Sequence, residues 1–168
     1  MQTKYHRGKN ESPGVLENTK RIFILILERL LGILLMVMVA VTFAEVSCRY
    51  VLGFSLIWSH EIVVLILIWS VWLSVPIGFD RIEHLSVTFF VEHNSRIGKF
   101  QFAWLHGFLA IIFLVLVFFL SLPVIDAYQG MNLLSIPLPI SSRYYAAPVG
   151  CFFSVFVLLV NMVQNIKE

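Results

Sequence analysis

Four long apolar runs, separated by short polar stretches, dominate the chain: residues 22–44, 62–79, 100–125 and 144–166. At 1.5 Å per residue the first would extend about 34 Å as a helix, enough to cross a hydrocarbon layer of about 30 Å with some tilt. The other three are also long enough to span. Lipid offers no hydrogen bonds, so a spanning segment must satisfy its own backbone, which predicts a helix for each run. The expected fold is an all-α membrane protein with a polar tail (1–21), a four-helix transmembrane domain (22–166) and a short polar end (167–168).

The stretch 80–99 departs from this simple alternation. Ile82, Leu85, Phe89 and Phe90 are interleaved with Arg81, Glu83, His84, Glu92, His93, Arg96 and Lys99. This pattern predicts an amphipathic helix lying in the membrane interface. Leu85, Val87, Phe89 and Val91 also alternate as a strand would, but an open strand edge has no hydrogen-bond partner there.

Charge sets the orientation. Lys4, Arg7, Lys9, Lys20 and Arg21 precede the first run, Arg81, Arg96 and Lys99 lie between the second and third, and Lys167 follows the fourth. Only Arg49 and Arg143 lie on the opposite side, with Arg29 inside the first run. The excess of Lys and Arg belongs in the cytoplasm, so both termini are expected there. The first apolar run is too long for a signal-peptide core and no Ala-x-Ala site follows it, so it is read as a retained anchor. Composition agrees: 59% of residues are hydrophobic and 13% charged, against about 25% charged in soluble domains. The net charge of +2 gives no reason to expect nucleic-acid binding. Cys48 and Cys151 form no Cys-x-x-Cys pair and are expected at different depths, unbridged.

Candidate chemistry is sparse. Glu28 and Arg29 fall inside the first run, where ionisable groups either snorkel to the interface or meet a partner protein. Glu45 and Arg49 have the spacing of a helical ion pair. Ala146, Gly150 and Ser154 form a small-residue stripe that permits close helix contact, expected against another membrane subunit; Ala103 and Gly107 repeat the spacing. Of His60, His84, His93 and His106, only His106 falls in a run, so paired histidines at one depth, as haem in a bundle requires, are not predicted. No cofactor or metal is implied. Runs two to four contain no carboxylate for a midplane ion or proton path, which suggests a scaffold. The competing reading is the membrane-anchor subunit of a haem- or quinone-linked redox complex.

The stretch Ser47-Cys48-Arg49-Tyr50-Val51-Leu52-Gly53-Phe54-Ser55-Leu56-Ile57-Trp58-Ser59-His60-Glu61 resembles the small permease subunit of tripartite ATP-independent periplasmic (TRAP) transporters. Arg49, Tyr50, Trp58 and Glu61 match that family's pattern, and His60 stands where the family has the first Glu of a pair. Gly78 and then His84-Leu85-Ser86-Val87 continue the match. The resemblance implies a non-enzymatic scaffold for a large permease subunit that carries the sodium sites and substrate path. It also implies a periplasmic solute-binding protein as second partner and an organic acid, of C4-dicarboxylate or sialic acid type, as solute. Arg49, Tyr50, Trp58, Glu61, His84 and Arg143 thereby become candidate partner-facing residues, beside Glu28, Arg29, Ala146, Gly150 and Ser154.

Overall fold

The computed structural model describes the backbone of residues 15–91 and 96–167 and, within these, the side chains of residues 18–81 and 107–162. Four long helices account for nearly all of it: α1 (Val15–Ser47), α2 (Ile57–Val91), α3 (Arg96–Tyr128) and α4 (Ala146–Lys167). Each contains a stretch long and apolar enough to cross a membrane. The helices outrun the apolar runs because nothing at the lipid boundary stops them. Leu16, Glu17, Lys20 and Arg21 are good helix formers and carry α1 back to Val15. Likewise α2 continues unbroken to Val91, so the first part of the expected interfacial segment is backbone-continuous with it. Side chains 82–106, including His84, His93 and His106, lie outside the described residues.

Two turns shape the end opposite the Lys/Arg-rich one, called here the hairpin end. α1 loosens into a π-helical turn, Cys48–Leu52, and stops at Gly53, whose φ of 76° is left-handed. A side chain there would meet its own backbone, which is the reason for glycine. Between α3 and α4 the chain folds into a small hairpin. Asn132 and Pro139 form an isolated bridge, the Leu133 N–H donates to the Leu138 carbonyl at 2.9 Å, and the Ile140 N–H to the Met131 carbonyl at 2.8 Å. A 3-10 turn, Ile140–Arg143, then leads into α4.

α2 and α4 form the centre and run in the same direction. α1 packs mainly against α2 on one side, and α3 against α4 on the other. Ile24, Leu27, Leu73, Ile77 and Val157 make one core between α1, α2 and α4; Leu114, Cys151 and Leu158 make a second between α3 and α4, flanked by Trp72 and Phe79. Cys48 lies in the π-helical turn, away from that second core.

The closest approach of α2 and α4 follows from one proline. Pro76, buried inside α2, has no N–H for the carbonyl of Trp72 four residues earlier. That carbonyl stands 2.6 Å from where a Cβ on Gly150 would sit. Only glycine lets α4 pass there. The expectation that the Ala146–Gly150–Ser154 stripe faces another subunit is therefore corrected. All three residues are buried inside this chain, because the missing Cβ of Gly150 lets α4 lie directly against α2. Gly107 makes a similar, looser fit against Met162.

Candidate functional site

Polar side chains collect in two layers. At the Lys/Arg-rich end Lys20 of α1 reaches both neighbouring helices. Its Nζ donates to Asn161 Oδ1 of α4 at 2.8 Å and lies 3.0 Å from Asp80 Oδ1 of α2, an ion pair outside hydrogen-bond alignment. Lys20 and Asn161 are buried and the Asp80 side chain is nearly so. Little water reaches the pair, so loss of either charge is costly to the other. Arg81, the next residue of α2, donates to Glu28 at 2.7 Å, about two turns beyond Lys20 on α1, again joining α2 to α1. Side chains on α2 lean toward its N-terminus, which lets Arg81 reach up into the apolar zone. Glu28 is thus paired within the chain, whereas Arg29 is exposed.

The Lys20–Asp80–Asn161 cluster was not visible as a unit in the sequence. Lys20 read as part of a basic tail, and Asp80 as part of a loop. The available signal was Asn161, a polar side chain between Val160 and Met162 inside a predicted span.

At the hairpin end Arg49 pairs with Glu45 one turn earlier on α1, as the spacing predicts, and donates to Ser55 Oγ at 3.3 Å. These contacts fold the guanidinium back over the π-helical turn. Tyr50 and Trp58 remain exposed beside it. Glu61 has a different task from a free surface acid. Its carboxylate accepts two consecutive backbone N–H groups of the hairpin, Leu134 at 2.9 Å and Ser135 at 3.1 Å. Both bonds are exposed to solvent, so each contributes only about 1 kcal/mol. Glu61 therefore fixes the hairpin, whose tip residue Leu134 is 98% exposed. Two turns deeper on α2, Trp69 donates its indole N–H to the Ser142 carbonyl at 3.2 Å and anchors the 3-10 turn. Arg143 follows in that turn, half-buried and recessed below the hairpin tip.

Among the described residues no three His, Cys, Asp or Glu side chains come together as a metal site. These features define a class: a helical membrane protein whose centre is closed by packing and internal polar ties, with two flanking helices left largely uncovered. In the membrane-crossing stretches of α1 and α3 only 11% of the most apolar window is buried. The model of one family, described as tripartite ATP-independent periplasmic transporters, DctQ component, matches residues 38–168. The chain belongs to that family and is a membrane component of a transporter, not an enzyme. No curated protein matches the chain.

Proposed function

We propose that this chain is the scaffold subunit of a sodium-driven importer of an organic acid, of the C4-dicarboxylate or sialic acid type. It binds a large permease subunit through the uncovered face of α1. Both termini are cytoplasmic, which places the hairpin end in the periplasm, where a solute-binding protein docks. The observation that carries the reading is the contrast between a closed centre and an open α1. Gly32, Met36, Ala40 and Phe43 lie along one exposed stripe of α1, and among the described residues nothing outside its own helix backbone lies within 4 Å of a Cβ placed on Gly32. Lipid solvates Leu and Ile as well as protein does, so a specific contact between membrane helices needs small residues that let backbones approach. Gly32, Ala40 and Ala44 supply them on the outward side. At the hairpin end Arg49, Tyr50, Trp58 and the clamped hairpin form a rigid, partly apolar surface suited to a transient, salt-sensitive contact.

The test is reconstitution. Proteoliposomes holding the large permease, with the solute-binding protein and a sodium gradient outside, are expected to take up labelled organic acid only when this chain is present. Equal uptake without it, or uptake indifferent to sodium, overturns the reading.

A further inference from the structure

We infer that Arg29 is the ion-pairing position of the α1 face, where it takes a carboxylate from a membrane helix of the large permease. The inference deepens the assembly reading above and rests on it. Arg29 is exposed on α1 inside the membrane-crossing stretch Asn18–Leu52. The ion pairs among the described residues join Lys20 to Asp80, Arg49 to Glu45 and Arg81 to Glu28, and none includes Arg29. Glu28, the neighbouring acid, is already taken by Arg81 of α2. An unpaired guanidinium facing lipid is costly, and an anion that meets it removes much of that cost.

Depth favours a protein carboxylate over a headgroup phosphate. Glu61 and Asp80 lie 19 residues apart on α2, about 28 Å at the α-helical rise. That is close to one hydrocarbon thickness of about 30 Å. Asp80 therefore marks the inner boundary, and Lys20, paired with it at 3.0 Å, marks the same level on α1. Arg29 follows Lys20 by nine residues, about 13 Å further into the apolar layer. Its side chain leans back toward the boundary but is only about half that long, so snorkelling leaves the guanidinium inside the layer. A lipid phosphate would meet the charge at the boundary, not at this depth. The surface around Arg29 also suits a helix. Gly32, Met36, Ala40 and Phe43 continue from it at helical spacing on one exposed face. Gly32 stands one turn away, and among the described residues nothing outside its own helix backbone comes within 4 Å of a Cβ placed there. A partner backbone can approach at that glycine. An Asp or Glu on it then comes within reach of the planar guanidinium for two parallel hydrogen bonds.

The test is co-expression with the large permease, affinity capture of this chain in mild detergent, and measurement of the large subunit recovered. Arg29→Gln is expected to lower recovery at least about tenfold, as when one partner of a desolvated ion pair is removed. Arg29→Glu should lower it further, and Arg29→Lys, which keeps the charge, should retain more than Arg29→Gln. Arg21→Gln, at an exposed cation beside the boundary, should assemble as wild type. Arg29 has no ion pair within the chain to lose, so purified Arg29→Gln alone should unfold as wild type does. Each Asp and Glu in the membrane spans of the large subunit is then changed to Arg in the Arg29→Glu background, and one such change is expected to restore recovery. Absence of any restoring position overturns the proposal. So does wild-type recovery in Arg29→Gln while Gly32→Trp fails to assemble, which keeps the α1 face but removes the ion pair from it. Wild-type recovery in both variants overturns the assembly reading and the proposal with it. Bound phospholipid lost from Arg29→Gln with the complex intact, read by native mass spectrometry, also overturns the proposal, in favour of a lipid phosphate.

Discussion

Two glycines in the central helices face opposite demands. Gly150 has the Trp72 carbonyl where its Cβ would stand, whereas among the described residues nothing outside its own helix backbone comes within 4 Å of a Cβ on Gly78. Gly150→Ala should therefore lower the stability of this chain by about 1–3 kcal/mol, the usual cost of overpacking. Gly78→Ala should change it by no more than about 1 kcal/mol. Unfolding of the two purified variants in mixed micelles checks the contrast, and equal effects would show that α4 does not rest on the freed carbonyl. Lys20 offers a second contrast. Lys20→Met removes the ion pair from the largely buried Asp80 and should cost up to about 3–5 kcal/mol. Removing both charges, in Lys20→Met with Asp80→Leu, should recover much of that loss, because the desolvation cost disappears with them. A double-mutant cycle on unfolding free energies measures the coupling, and an additive result would mean that the pair contributes nothing as a pair.

At the level of elements, the hairpin before α4 has few contacts of its own and owes its fixed shape to α2. Glu61 holds its tip by two N–H groups and Trp69 holds its base by one carbonyl. Glu61→Gln keeps one acceptor oxygen without the charge, so the tip should loosen while the base stays anchored. Backbone amides 133–136 should then exchange with deuterium roughly tenfold faster or more, as expected for losing one charge-assisted bond. Amides 146–160 in α4 should be unaffected. Uniform acceleration across both segments would mean that Glu61 supports the whole helix pair, not the hairpin.

For the whole molecule, the arrangement separates two jobs. The α2–α4 pair is closed by the Pro76–Gly150 fit and by Lys20, Asp80 and Asn161, while α1 and α3 present apolar faces outward. A bulky residue on the α1 face should leave the chain folded yet spoil assembly. Gly32→Trp is expected to unfold as wild type does but to lose most co-purification with the large permease when the two are co-expressed. Wild-type recovery of the complex would move the interface off this face of α1.

Hydrophobic pattern alone determined the four spans, because length and apolarity suffice to place a segment in lipid and lipid then forces a helix. Short-range spacing likewise made the Glu45–Arg49 pair legible, since both residues lie on one helix one turn apart. The motif around Arg49, Tyr50 and Trp58, with Glu61 at its end, pointed to the family that the match over residues 38–168 establishes. Partners across helices were beyond reach. Small-residue spacing marks a surface that can pack closely without saying against what, and only the tertiary structure turned Gly150 toward Trp72 and not toward another subunit. The same holds for Glu61 and for Lys20, whose partners lie 73 and 141 residues away. Such pairings depend on how the helices are laid beside one another, a property of side-chain shape and of one freed carbonyl, not of any local pattern along the chain.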